Sequence, residues 1–80
     1  MKIFCISDSQ DISVGLKLSG INSVTLTSKN DVLTKIDDLL AVKDIGVLVV
    51  TKNIYNIAKD KLDDIKLDQK FPLIVTIPNQ

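Results

Sequence analysis

Residues 45–51 read Ile45-Gly46-Val47-Leu48-Val49-Val50-Thr51, a segment that is apolar over almost its whole length and rich in β-branched side chains. A short run of this kind is typical of a parallel strand that is buried on both faces. Three other short β-branched segments, each bounded by Gly, Pro, Ser, Asp or Asn, have a similar character. They are Lys2–Ser7, residues 23–27 and Leu73–Ile77, so the sequence predicts four strands.

The segments between these strands repeat their apolar residues with the spacing of an α-helix. A short helix is predicted over residues 12–18, and Gly20 is suited to the position just past its end. A second helix has Ser28 or Asn30 as its predicted N-cap, and a third begins near residues 51–53. The apolar stripe of the second helix consists of Val32, Leu33, Ile36, Leu39 and Leu40. That of the third helix consists of Ile54, Ile57, Ala58, Leu62 and Ile65.

The predicted order βαβαβαβ indicates an α/β fold, because strands that alternate with helices form a parallel sheet with right-handed crossovers. Four strands in the order 2-1-3-4 give a flavodoxin-like or Rossmann-like sheet. In that order the first helix lies on one face and the other two lie on the opposite face. Residues 1–80 contain no linker, repeat or low-complexity stretch, so a single domain is expected.

The composition narrows the possible functions. The 80 residues include ten Lys and ten Asp but no Arg, Glu, His or Trp, and the formal charge is zero. Without His and Arg, the chain has no imidazole base, no His metal ligand and no guanidinium to clamp a phosphate. The mixed charges give no basic stripe for nucleic acid, and the apolar runs are too short to cross a membrane. We therefore expect a non-enzymatic, cytoplasmic domain with no cofactor, metal, nucleic-acid partner or direct membrane insertion.

The ends of the first and third strands bear on function, because doubly wound sheets bind ligands at the carboxyl ends of their strands. Asp8 follows the first strand, and Thr51 ends the third. A receiver-like phosphotransfer domain would need an acidic pair at the first place and a phosphoaccepting Asp at the second, where Thr51 stands. We expect Asp8 and Ser9 to shape the turn and to cap the short helix.

Cys5 and the glycines bear on two other possible functions. A sugar-phosphotransferase B-like domain would place its Cys in the loop after the first strand, whereas Cys5 lies inside an apolar run and is expected to be a buried hydrophobe. A small-ligand binder would need a Gly-rich turn after a strand. Gly15 and Gly20 instead lie within and just after the first helix, where packing and capping explain them. Phosphotransfer and small-ligand binding stand as alternatives.

The first predicted helix is apolar on two sides. Val14 and Leu18 share one side, and Ile12 and Leu16 lie roughly opposite. A helix that packs on a sheet needs only one apolar stripe. Either Ile12 or Leu16 tucks against the edge of the sheet, or these two side chains contact a second protein.

The predicted strand order also leaves one sheet face partly uncovered. The first helix covers only the first two strands, so residues 47–50 and 73–77 would expose apolar side chains beside it. A contiguous apolar patch of this kind marks an interaction site. We expect self-association or partner binding through this face.

Three motifs occur in order along the chain. Asp8 followed by Val-Gly-Leu-Lys-Leu-Ser-Gly at residues 14–20 is similar to the pattern G-D-x-x-x-V-x-G-F-R-L-A-G. Asp-Ile-Gly-Val-Leu-Val-Val-Thr at residues 44–51 and Phe-Pro-Leu-Ile-Val-Thr-Ile-Pro at residues 71–78 are similar to D-I-G-[apolar]₄-T and P-x-I-x-x-I-P. Together the motifs resemble those of the F-subunit family of V-type and A-type ATP synthases. Four family residues, Gly, Phe, Arg and Ala, are replaced here by Ser7, Leu16, Lys17 and Ser19.

The resemblance implies a non-catalytic rotor subunit in the central stalk of a rotary ATPase. Its partners would be the D subunit, which forms the coiled-coil shaft, other stalk subunits and the A and B head subunits. Together these subunits couple ATP hydrolysis or synthesis to H⁺ or Na⁺ transport at the membrane. The family's charged C-terminal helical tail is absent from this sequence, so the tail's contacts are not carried over.

Two sets of residues follow from these arguments. Ile12 and Leu16 on the first helix, and Tyr55 at the edge of the third helix's stripe, are the predicted partner contacts. The resemblance implies structural roles for Asp8, Gly15, Gly20, Gly46, Pro72 and Pro78.

Overall fold

Four parallel strands form one sheet in the computed structural model, which describes residues 2–68 and 72–79. The strands are β1 (Lys2–Ser7), β2 (Asn22–Thr25), β3 (Ile45–Thr51) and β4 (Leu73–Ile77), and their order is β2-β1-β3-β4. The predicted α/β class and the predicted strand order are confirmed. Only β2 differs in its bounds, because its first residue is one position earlier than predicted and its last residue is two positions earlier.

The first two helices begin at serine caps. Helix α1 (Gln10–Leu18) begins two residues earlier than predicted, since the hydroxyl of Ser9 accepts a hydrogen bond from the amide of Ile12. Helix α2 (Lys29–Val42) has Ser28 as its N-cap, which accepts from the amide of Asp31. Of the two predicted caps for α2, Ser28 is therefore the one used.

The third predicted helix is divided into α3 (Lys52–Ile57) and α4 (Lys59–Asp68). The division falls at Ala58, where φ is −113°, well away from the helical value. The local sequence gives no sign of it, because Ala is the strongest helix former. Helix α3 packs against β3 and β4, whereas α4 packs against β4, so packing on the sheet sets the direction of each half.

One face of the sheet carries the core. Side chains from β1 and β3, including Ile6, Leu48 and Val50, are buried there against α2, α3 and α4. The predicted stripes supply the helical side of this core. Its buried helical members are Val32, Ile36, Leu39, Ile54, Ala58, Leu62 and Ile65.

The opposite face carries α1, which packs on β2 and β1. The contact is polar at its centre. Ser13 is buried, its carbonyl oxygen accepts from the hydroxyl of Ser23 at 2.8 Å, and its hydroxyl accepts from Thr25 at 2.8 Å. Since Ser23 and Thr25 belong to β2, the Ser13 side of α1 is turned towards that edge strand.

The backbone conformation favours glycine at Gly20, just after α1, but not at Gly15, within α1. Gly20 has φ of +84°, and the amides of Gly20 and Ile21 donate to the carbonyl oxygens of Lys17 and Leu16, as in a Schellman C-cap. Gly15 is exposed, and a Cβ built there would meet nothing within 4 Å, so packing within the chain does not require a glycine.

Alanine substitutions at these two glycines should have opposite effects. We expect Gly20→Ala to lower the free energy of unfolding by about 1 kcal/mol, because an L-residue is strained at positive φ. Gly15→Ala should raise it by roughly 0.5–1 kcal/mol, because alanine restricts the unfolded chain and favours helix. Urea unfolding followed by circular dichroism measures both, and effects of the same sign would contradict this interpretation of the backbone.

Candidate functional site

Asp8 is the centre of a hydrogen-bonded cluster at the carboxyl edge of the sheet. Its Oδ1 accepts from the hydroxyl of Thr51 and from the side-chain amide of Asn79, both at 2.7 Å, and its Oδ2 accepts from the side-chain amide of Asn53 at 2.8 Å. The side-chain oxygen of Asn79 also accepts from the backbone amide of Asn53 at 2.8 Å. One carboxylate thus ties the ends of β1 and β3 to the segment that follows β4.

These bonds decide what Asp8 can do chemically. The hydrogen bond from Asn53 is the main cause of a pKa for Asp8 below its ordinary value. Desolvation opposes it, and the hydrogen bonds from Thr51 and Asn79 lower the pKa further. The carboxylate is therefore held in its charged form as an acceptor. Thr51 is fully buried at the end of β3, where a receiver domain would carry its phosphoaccepting Asp.

Cys5 lies inside β1 with no exposed surface, as predicted for a buried hydrophobe. Burial raises the pKa of its thiol to about 11. A phosphate-accepting thiol needs the opposite, a lowered pKa at an accessible loop. The geometry of Cys5 does not favour the phosphotransferase B-like alternative.

The sheet face beside α1 exposes apolar side chains, as the predicted strand order implied. Ile3 is 43% exposed, Leu73 is 54% exposed and Val75 is 43% exposed. They lie in two rows across the sheet, since Ile3 pairs with Val47 and Val47 with Leu73, while Val49 pairs with Val75. We call the face formed by Ile3, Val47, Val49, Leu73 and Val75 the open face.

The predicted contact residues Ile12 and Leu16 are half-buried beside this face. Successive residues of an α-helix are rotated by about 100° about its axis. Viewed along α1, Ile12 and Leu16 therefore lie about 60–100° from Ser13, and Lys17 lies on the other side of Ser13. Because Ser13 faces β2, Ile12 and Leu16 are turned towards β1 and border the open face. The other apolar side of α1 is more exposed, with Val14 at 47% and Leu18 at 85%.

Tyr55, the third predicted contact residue, lies on the other side of the molecule and does not join Ile12 and Leu16. Its hydroxyl donates to Asp63, and the ammonium of Lys66 lies 4.6 Å from its ring centroid. Asp63 also pairs with Lys59 at 2.7 Å, and that hydrogen bond is the first cause of a lowered pKa for Asp63 and a raised pKa for Lys59. Tyr55 is therefore held at the surface by contacts between α3 and α4.

The remaining motif residues lie in β3 or beside β4. Gly46 is buried within β3, Pro72 is half-buried just before β4, and Pro78 is exposed between β4 and Asn79. Phe71, which opens the third motif, lies outside the described residues.

Two members of the Asp8 cluster, Asn53 and Asn79, were not predicted. Asn53 could have been found, since it follows a strand that ends at the same edge as β1. Asn79 has no comparable signal, because its position depends on the path of the chain after Pro78.

Other kinds of site receive little support from the part of the chain that the structure describes. No group of three or more Cys or Asp side chains that could hold a metal ion occurs among residues 2–68 and 72–79. Nor is any helix in those ranges both long and apolar enough to cross a membrane. A cleft of about 390 Å³ lies between α2 and the junction of α3 and α4, and its charged lining is mixed: Lys29, Lys59, Lys61, Asp60 and Asp64.

Two comparisons with known proteins point to the same family. A family model described as ATP synthase (F/14-kDa) subunit matches residues 3–80. The fold is similar to the crystal structure of the F subunit of the V-type ATP synthase from Archaeoglobus fulgidus, with a TM-score of 0.72, 20% sequence identity and 95% of each chain covered. No curated protein sequence matches the chain significantly.

Proposed function

The chain belongs to the ATP synthase (F/14-kDa) subunit family, and from that membership we propose that it is a non-catalytic subunit of the central stalk of a V-type or A-type rotary ATPase. In this role it binds the D subunit, the coiled-coil shaft, and turns with it. ATP is hydrolysed or made in the A and B head subunits, and rotation is coupled to H⁺ or Na⁺ transport. The chain works on the cytoplasmic side, peripheral to the membrane.

The observation that carries this proposal is the family match over residues 3–80. The cluster at the carboxyl edge supports it, because a receiver-like or ligand-binding domain would place reactive groups there. Asp8, Thr51, Asn53 and Asn79 instead satisfy one another by hydrogen bonds. A clamp of this kind suits a rigid domain that transmits force.

The proposed partner contacts are Ile12, Leu16 and Tyr55. The first two supply apolar surface on one helix, which suits packing against the apolar stripe of a coiled coil. Tyr55 presents an aromatic ring on the opposite side of the domain, where it would meet a second stalk or head subunit.

Copurification with the other subunits of the same rotary ATPase tests the proposal. We expect the chain and the D subunit to copurify in a one-to-one molar ratio. Leu16→Asp should weaken this binding at least tenfold, because a carboxylate replaces an apolar contact. Leu67→Asp is the matched control, since Leu67 lies on α4 and is already exposed.

The two parts of this experiment fail separately. A chain that is folded but binds no stalk or head subunit would refute the stalk function. A folded Leu16→Asp variant that binds as tightly as the unaltered chain would refute the α1 contact and leave the stalk function standing.

A further inference from the structure

We propose that two copies of this chain pair through the open face, each laying its helix α1 over strands β3 and β4 of the other. The two copies are related by a two-fold axis parallel to the strands. This pairing is a property of the chain alone, and because Ile12 and Leu16 border the open face, a paired copy cannot also make the proposed shaft contact through them.

The geometry of one copy suits this arrangement. Helix α1 covers β1 and β2 on one face of the sheet. The adjacent strands β3 and β4 are uncovered on that same face. Two strands span about 10 Å, which is the diameter of one α-helix. A two-fold axis parallel to the strands keeps their direction, so the partner's α1 arrives antiparallel to β3 and β4, as a crossover helix would.

The exposed apolar side chains are complementary in this pair. Val14 and Leu18 point away from their own sheet, opposite Ile12 and Leu16, and so towards the sheet of the second copy. There they meet Leu73 and Val75, which are also exposed. The same operation buries the second copy's Val14 and Leu18 on the first, because a two-fold interface uses every patch twice.

The charges at one end of the interface are also complementary. A two-fold axis along the strands leaves the height of each residue unchanged. Asp11, in the first turn of α1, therefore comes to the end of the partner's β3, where Lys52 follows that strand. Lys17, by contrast, lies only about 40° round α1 from Ser13, so it is turned towards its own β2 and takes no part in the pair. With ten Lys and ten Asp, the two copies carry no net charge that would repel them.

The extent of the surface favours a second copy over a single foreign helix. A stable pair buries roughly 800 Å² on each partner, from about 20–30 residues a side. The open face alone supplies five side chains. In a pair, each copy contributes both its open face and the nine residues of its α1 to the interface. A single foreign helix on the open face would leave Val14 and Leu18 exposed.

Sedimentation equilibrium of the isolated chain tests the pairing. We expect twice the 8.8 kDa mass of one chain, with a dissociation constant below about 100 μM. Leu18→Asp should raise that constant at least tenfold while circular dichroism stays unchanged, because Leu18 is 85% exposed and contributes little to the fold of one copy. Leu67→Asp is the control, since Leu67 is 83% exposed on the other side of the sheet and should leave the pair intact.

Charge reversal tests the orientation of the two copies. Asp11→Lys should weaken the pair, and adding Lys52→Asp to the same chain should restore it. A chain that stays monomeric at about 1 mM would overturn the proposal. Equal dissociation by Leu18→Asp and Leu67→Asp would also overturn it, since the association would then be unspecific. A double variant no tighter than Asp11→Lys would overturn the parallel two-fold arrangement.

Discussion

Replacing Leu62 by alanine should lower the free energy of unfolding by about 3 kcal/mol, whereas the same replacement at Leu67 on the same helix should change it by less than about 0.5 kcal/mol. Leu62 has no exposed surface and belongs to the core on the α2 side of the sheet. Leu67 is five residues further along α4 and almost fully exposed. The pair holds the chemistry and the helix constant, so burial accounts for the difference.

The size of this effect matters because the domain is small. A chain of this length has a total stability of roughly 4–12 kcal/mol. Leu62→Ala therefore removes a quarter or more of it and lowers the midpoint of thermal unfolding by more than about 10 °C. Urea unfolding of both variants at pH 7 measures the difference. Equal losses at the two positions would show that α4 is packed in another rotation about its axis.

The elements of this fold were predictable because strand and helix have different periods. Residues 45–51 indicated the central strand, and the stripe beginning at Val32 indicated α2. The order of the strands followed from the handedness of the crossovers, which leaves few arrangements for four parallel strands. The family's motifs reinforced these predictions at Asp8 and along residues 44–51.

The parts that were not predictable depend on packing at a distance. Nothing local at Ala58 marks the division between α3 and α4, which follows the contacts of each half with the sheet. For α1, the sequence showed two apolar sides but could not say which one faces the sheet. The hydrogen bonds of Ser13 with Ser23 and Thr25 decide this, and they bring Ile12 and Leu16 to the open face.

The Asp8 cluster was half predictable. Its position at the carboxyl edge, next to Thr51, follows from the strand order. Its completion by Asn79 requires the chain after β4 to turn back over the edge, which no pattern in the sequence indicates. The cluster shows that polar residues at the usual ligand-binding edge of a doubly wound sheet can instead bond to one another.

Replacing Asp8 by alanine should lower the free energy of unfolding by about 2 kcal/mol at pH 7. The substitution leaves the fully buried hydroxyl of Thr51 without its acceptor and frees the side chains of Asn53 and Asn79. Asp44→Ala is the matched control, because the side chain of Asp44 makes an exposed ion pair with Lys2 and its loss should cost less than about 1 kcal/mol.

The dependence on pH distinguishes loss of a charged acceptor from loss of packing. The hydrogen bond from Asn53 and the other hydrogen bonds lower the pKa of Asp8 in the folded chain. The contribution of Asp8 to stability is therefore present in full above its pKa in the unfolded chain, about 3.9. That contribution disappears as the pH falls through the lower folded value, because the folded chain must then bind the proton. The stability gap between the unaltered chain and Asp8→Ala should therefore be constant from pH 7 to pH 5 and narrow below pH 4. Urea unfolding at pH 7, 5 and 3 measures it. A gap that stays constant down to pH 3 and below would mean that the side chain of Asp8 stabilises the sheet edge by its size, and that the carboxylate is not the clamp between β1, β3 and Asn79.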